Sequence, residues 1–239
     1  MRMQAPCLCI TLLLLVNTGF AQEIPSSPRS REVYDRVAPR LEHEMNDSGL
    51  VLGAPVFLRL FKWPGVLEIW VKSGDRFSLF RGYHIFSLGN GTYGPKTRQG
   101  DSQAPEGFYR ILPSQLNPVS RFHLSINVGY PNQYDYAAGY TGGDLMIHGD
   151  YVSRGCYAMS DEGIEEIYTL VEAAFRKGED RIELHCFPFP LIDMNLGQFA
   201  DSPWLQFWQT LRKGYEFFEA HHIPPFVSVR DGVYQIAAP

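Results

Sequence analysis

The sequence is short of the features that mark most metal, nucleic-acid and membrane proteins. Its 239 residues hold four cysteines and contain neither Cys-x-x-Cys nor His-x-x-x-His. A zinc site drawn from His123, His148, Cys156 and His185 therefore lacks the spacing such sites use, and no metal is expected. Basic residues are the minority, 21 Lys+Arg against 26 Asp+Glu for a net charge of −5. A chain of that balance has no global basic field for nucleic acid. With 20% charged and 45% hydrophobic residues it falls in the ordinary globular range, which excludes disordered and fibrous classes. Beyond the first two dozen residues no apolar run approaches the ~20 residues that span a bilayer. There is no internal repeat and no linker strong enough to divide the chain.

What is present starts with a leader. Arg2 makes a short positive region, Cys7 to Val16 is apolar apart from Thr11, and Gly19 and Ala21 sit at −3 and −1 of a cleavage site before Gln22. Residues 1–21 are expected to be a signal peptide delivering the chain to the periplasm, with an uncleaved anchor as the alternative. Its removal would leave only Cys156 and Cys186. In an oxidising compartment those two can form one disulfide.

Residues 22–54 read as a Pro/Ser-rich tether (22–31) followed by a helix, in which Val33, Val37, Leu41 and Met45 recur at helical spacing. Residues 55–239 form the main domain. Strands are expected at 56–61, 67–71 and 76–80, the last two joined at Ser73-Gly74-Asp75, then at 108–111, 122–126, 144–147 and 182–186. Segments 89–107 and 129–143 read as long loops, the second carrying Tyr130, Tyr134, Tyr136 and Tyr140. A helix with Ser160 as N-cap runs to Arg176-Lys177-Gly178, and another is expected from Ser202, with Pro203 at N1. A closing hairpin turns at Asp231-Gly232. The class is α+β with a mainly antiparallel β core.

One segment concentrates reactive groups: residues 145–160, Leu-Met-Ile-His-Gly-Asp-Tyr-Val-Ser-Arg-Gly-Cys-Tyr-Ala-Met-Ser. A strand delivers His148, a short loop turns back, and Cys156 precedes a capped helix. Across such a turn an imidazole can take a thiol proton, leaving a thiolate nucleophile. Gly155 permits close approach of a substrate backbone, and the Gly155 and Cys156 amides can face an oxyanion. On residue types alone, a buried structural Cys156 competes with the catalytic reading.

The pattern His148-Gly149…Ser153-Arg154-Gly155-Cys156-Tyr157-Ala158-Met159 resembles the signature of the L,D-transpeptidase (YkuD) family. The upstream Ala104-Pro105-Glu106-Gly107-Phe108-Tyr109-Arg110-Ile111 resembles that family's Thr-Pro-x-Gly-x-Phe/Tyr-x-Ile strand, and segments 103–109, 116–118, 129–132 and 155–159 are closest to its YafK subgroup. The resemblance implies a β-sandwich-like catalytic domain with flanking helices, no cofactor, and peptidoglycan stem peptides as partners. It implies that Cys156 attacks the meso-diaminopimelate carbonyl to form a thioester, with His148 as base and then acid, the Gly149 carbonyl orienting its ring, and Gly155 in the oxyanion hole. An imidazolium beside the sulfur would lower the thiol pKa. The subgroup further implies cleavage of the linkage between peptidoglycan and an outer-membrane lipoprotein, with water resolving the same acyl-enzyme. Arg154 stands where many members carry a second histidine. It reads either as a grip on a stem-peptide carboxylate or as an exposed turn charge. Ser153 and Tyr140 are further substrate-binding candidates. Lys96 and Arg98 read as solvated loop charges or carboxylate partners, and Cys186, next to His185, as a buried hydrophobe or as the thiol of a second reactive pair. Two rival classes remain at this point: a non-catalytic peptidoglycan-binding module, and a cysteine peptidase with unrelated substrates.

Overall fold

The computed structural model describes residues 23–239, so the expected leader lies outside the described residues. Helix α1 (Pro28–Asp47) starts inside the stretch read as a tether. Ser27 caps it by accepting from the Ser30 amide, and Pro28 occupies N1, where its missing N–H is no loss. The Ser27 hydroxyl also donates to the Pro118 carbonyl at 2.8 Å, so the chain is docked from Ser27 onward. Val33, Val37, Leu41 and Met45 form the buried stripe, as their spacing predicts.

Strands β1 (Val56–Phe61), β2 (Val66–Ser73) and β3 (Arg76–His84) form an antiparallel meander. β4 (Gly107–Ile111) follows a long irregular segment. β5 (Leu116–Asn117) and β6 (Ser125–Asn127) come next, then a short helix α2 (Gln133–Ala137) inside the expected second loop. β7 (Met146–His148) and β8 (Tyr157–Ala158) flank the reactive segment, and α3 (Asp161–Arg176) follows, capped by Ser160 as expected. β9 (Ile182–Phe187), α4 (Asp193–Gly197), α5 (Leu205–His221), β10 (Phe226–Arg230) and β11 (Val233–Ala237) complete the chain.

The larger sheet has the order β3-β2-β1-β9-β4, with only β1 and β9 parallel. The smaller is β5-β6-β7-β8, with only β7 and β8 parallel, and β10-β11 is a separate hairpin. The fold is thus α+β and mainly antiparallel. β1 is buried on both faces. Leu58 and Leu60 join Leu184, Ile126, Ile147 and residues of α1 and α3 in one core between the sheets. Phe61 and Phe187 face the opposite side, where Trp208, Leu211 and Tyr215 of α5 cover the sheet. Cys186 points into the first core and His185 into the second, because successive strand residues alternate faces. They are not a reactive pair.

Two expectations are corrected. The strand read at 122–126 is confined to Ser125–Asn127, because His123 takes a left-handed φ of 64° and the Phe122 carbonyl turns to the Gly149 amide. The last helix starts at Leu205, since the Ser202 hydroxyl accepts from Trp204 N in a preceding turn instead of capping the helix.

Candidate active site

The small sheet assembles the site. In the parallel β7–β8 pair Ile147 lies opposite Tyr157 and His148 opposite Ala158. Cys156 stands immediately before β8, in the bend that follows Gly155, so the chain returns beside the β7 strand that ends at His148. No hydrogen bond joins the two side chains in this structure, where the sulfhydryl is directed at the Asp144 carbonyl, and pairing them takes a rotation of the Cys156 side chain.

His148 is 2% exposed, with its ring 4.7 Å from that of Phe122 at an interplanar angle of 34°. Nδ1 lies 2.5 Å from the Gly149 carbonyl oxygen. A carbonyl only accepts, so Nδ1 carries the proton and Nε2 is left as the basic nitrogen. Gly149 must be glycine for room: a Cβ there would lie 2.5 Å from Asp161 Oδ1 and 2.8 Å from the Phe122 carbonyl oxygen. Its amide is shared between the Phe122 and Leu124 carbonyls. This packing fixes the carbonyl that holds the ring.

Cys156 is half-buried and free, as is the fully buried Cys186, so no disulfide joins them. The Cys156 sulfhydryl is directed at the Asp144 carbonyl, 3.7 Å away. Burial pushes the thiol pKa up, and it outweighs the Met146 amide and the Lys96 ammonium, which act the other way. Burial likewise pushes His148 down against the Gly149 carbonyl and the Asp150 carboxylate. Both directions favour the uncharged forms, a thiol and a neutral imidazole, so the lowering that an imidazolium neighbour would bring is not seen at Cys156. Desolvation of each charged form is the largest cause for both groups.

The turn before Cys156 is self-bonded. The Ser153 hydroxyl donates to the Cys156 carbonyl at 2.7 Å and accepts from Gly155 N at 3.2 Å. Ser153 thus shapes the loop, and the Gly155 amide already has a partner. Gly155 has φ +125° and packs its Cα face on the Gln103 carbonyl. Arg154 is exposed and has no ion-pair partner among the described residues. Tyr140 is half-buried against the main core with its ring edge-on to Tyr134, while Tyr134 stacks on Tyr234 at 4.5 Å.

Sequence reasoning passed over the wall formed by residues 96–103. Lys96 is 4% exposed, not a solvated charge, and its Nζ lies 2.7 Å from Asp101 Oδ1. Arg98 is exposed. The unread signal was Asp101 itself, whose carboxylate also accepts from the amides of Thr97, Arg98 and Gln103. Phe122, which backs His148, was hidden by the misassigned strand. Among the described residues no three His, Cys, Asp or Glu side chains are grouped to hold a metal ion.

The model of the L,D-transpeptidase catalytic domain (YkuD) matches residues 67–183. The Escherichia coli (strain K12) protein named "Putative L,D-transpeptidase YafK" is 38% identical over 237 residues, covering 99% of this chain and 92% of that one. The chain belongs to the L,D-transpeptidase family. Among solved structures, the helical cell shape determining protein Pgp2 from Campylobacter jejuni aligns over 80% of each chain at 15% identity, with a TM-score of 0.44. Bd1075 of Bdellovibrio bacteriovorus aligns over 74% of this chain and 77% of that one, at 16% identity and a TM-score of 0.41. The span matched by the L,D-transpeptidase domain contains His148, Cys156 and the Lys96–Asp101 wall, and it ends within β9. Helix α5 and the β10–β11 hairpin lie outside it. No helix among the described residues of this L,D-transpeptidase family member is long and apolar enough to cross a membrane.

Proposed function

We propose that this chain is an exported cysteine acyltransferase acting on peptidoglycan stem peptides through a thioester on Cys156. What supports the reading is that β7 ends at His148 and β8 begins directly after Cys156 on the neighbouring strand, with Nδ1 of the imidazole committed to the Gly149 carbonyl. Nε2 takes the sulfhydryl proton as sulfur bonds to the carbonyl carbon at the L-centre of meso-diaminopimelate. The Cys156 amide faces the resulting oxyanion; the Gly155 amide first has to leave the Ser153 hydroxyl. The C–N bond then breaks, and the imidazolium returns its proton to the departing amine. A second amine, or water, gives a proton to Nε2 as it attacks the thioester, and the thiol is regenerated. Exposed and unpaired, Arg154 is suited to a stem-peptide carboxylate, and Tyr140 lines the approach. Residues 1–21 act as the export signal, and 55–239 form the catalytic domain.

Because both groups rest neutral, the nucleophile forms only as substrate covers the pair and the proton moves. Water and an amine compete for one thioester, so cross-linking and release of a wall-bound lipoprotein are two outcomes of the same chemistry. The test is digestion of wall sacculi carrying bound lipoprotein, with muropeptide analysis and intact-protein mass. An acyl adduct absent in Cys156→Ala is expected. New diaminopimelate–diaminopimelate links identify transfer, and freed lipoprotein identifies hydrolysis. Neither adduct nor turnover would sink the proposal in favour of a wall-binding module.

A further inference from the structure

The strongest unexplained feature near the thiol is a buried cation. Lys96 places its ammonium 2.7 Å from Asp101 Oδ1 and 2.9 Å from the Arg98 carbonyl, with the Tyr130 ring centroid 6.0 Å away. Its Cε lies 2.9 Å from where a Cβ of Gly142 would stand. Gly142 is two residues from Asp144, whose carbonyl faces the Cys156 sulfur. On the other flank, the Gln103 carbonyl of the same loop lies against Gly155. The loop that holds Lys96 therefore packs on both segments that flank Cys156, at Gly142 and at Gly155.

Burying a lysine is costly unless something uses or neutralises its charge. Here Asp101 supplies the counter-charge. Asp101 spreads its negative charge over Lys96 and the Thr97, Arg98 and Gln103 amides. The charged and titratable groups around Cys156 are Lys96, packed on Gly142, Asp144 in the segment before β7, Tyr157 next in the chain, and His148 on the neighbouring strand. Of these, Lys96 brings an ammonium.

We propose that Lys96 is a positioning residue for the Cys156 sulfur: its ammonium, fixed in the wall of the site by Asp101, supplies the positive field in which the sulfur anion forms. The inference rests on Cys156 being the nucleophile, and it names the group that offsets the burial of that sulfur. Asp101 sets how strong the field is as well as where it sits.

The test is alkylation of the full chain with iodoacetamide across a pH series, following the peptide that carries Cys156 by mass spectrometry. Lys96→Met is expected to raise the midpoint by about half a pH unit or more, which is roughly threefold slower alkylation at a fixed pH below it. Lys96→Arg keeps the charge and stays near wild type. Asp101→Asn removes the counter-charge and lowers the midpoint. A purely structural role predicts that Lys96→Met and Asp101→Asn disturb the loop alike, so shifts in the same direction overturn the inference, as does an unmoved midpoint in Lys96→Met. If Lys96→Met does not fold, Asp101→Asn decides: a downward shift supports the field, and no shift or an upward one overturns it. Alkylation needs no wall substrate. Sacculi that give no acyl adduct while the midpoints move would end the proposed function and leave this inference standing; the reverse pattern would end the inference alone.

Discussion

Gly149→Ala tests whether the carbonyl that holds His148 matters to the chemistry. The added Cβ would sit 2.5 Å from Asp161 Oδ1, 2.8 Å from the Phe122 carbonyl oxygen and 3.0 Å from His123 Cβ. Asp161 can rotate away, though it then loses the Asp150 amide that it accepts at 2.9 Å. The Phe122 oxygen cannot, because it is backbone and already bonded to the Gly149 amide. The end of β7 must therefore shift by about 0.5 Å or more to restore ordinary contact distances. The 2.5 Å bond from His148 Nδ1 to the Gly149 carbonyl moves with it. Misplacing a reacting group by about 1 Å costs on the order of 100-fold, so the shift predicts a kcat loss of roughly 10- to 100-fold. KM should change little, because the substrate grips are elsewhere. Overpacking of this kind costs about 1–2 kcal/mol, or roughly 2–8 °C in Tm for a chain of this size. Muropeptide turnover under saturating substrate reads the first quantity and thermal unfolding the second. A folded Gly149→Ala protein with kcat within about twofold of wild type would refute the role given to that carbonyl.

Three further outcomes follow from particular buried groups. His185 is fully buried between Phe57 and Phe108, each at 4.7 Å, with both ring nitrogens lacking a partner; His185→Phe should stabilise the fold by about 1–2 kcal/mol in urea unfolding, and a loss of that size would mean a bound water satisfies the ring. Glu106 pairs with Lys62 at 2.9 Å and accepts from Trp208 Nε1, all buried; Glu106→Gln leaves the ammonium uncompensated and should cost about 3–5 kcal/mol, read as a Tm fall of roughly 6–20 °C. Burial raises Asp135 to about 6. A raised carboxylate favours the protonated fold, so this group's penalty is absent below pH ~4, grows as pH rises to about 6 and is constant above; wild type should lose about 2–3 kcal/mol over that window relative to Asp135→Asn, and parallel pH curves would contradict it.

Legibility from sequence followed the range of the forces involved. β1, β2, β3, β9 and α3 were readable because alternation, turn residues and the Ser160 cap are local. His148 and Cys156 were readable through a motif confined to 145–160. The parallel pairing of β1 with β9 was not, because it joins residues about 126 positions apart (Leu58 with Leu184) and leaves no local mark beyond an unbroken apolar run. The two serine–proline starts show the limit of a local signal. Ser27-Pro28 begins a helix and Ser202-Pro203 does not, although the residue pair is the same. Tertiary bonding decides between them: Ser27 is anchored to Pro118, while Ser202 closes its own turn. Lys96 was misread for a related reason. A lysine among polar loop residues looks solvated until Asp101 folds the loop around it.

The ionisation of the resting pair ties these observations together. A thiolate–imidazolium pair would be reactive at all times, and a low-pKa, accessible thiolate is the form most open to oxidation. Here burial of His148 against Phe122 and half-burial of Cys156 keep both groups neutral. On the proposed mechanism a resting thiol is less open to oxidation than a thiolate, and the proposed Lys96 field acts only when the anion forms. Burial holds His148 below the ordinary histidine value of 6.5. The acid limb of kcat/KM should accordingly fall below pH 6.5, with activity lost as pH drops through the His148 pKa. A limb at or above that value, measured on acylation under single-turnover conditions, would mean that the imidazole carries its charge at rest and that the neutral pair is wrong.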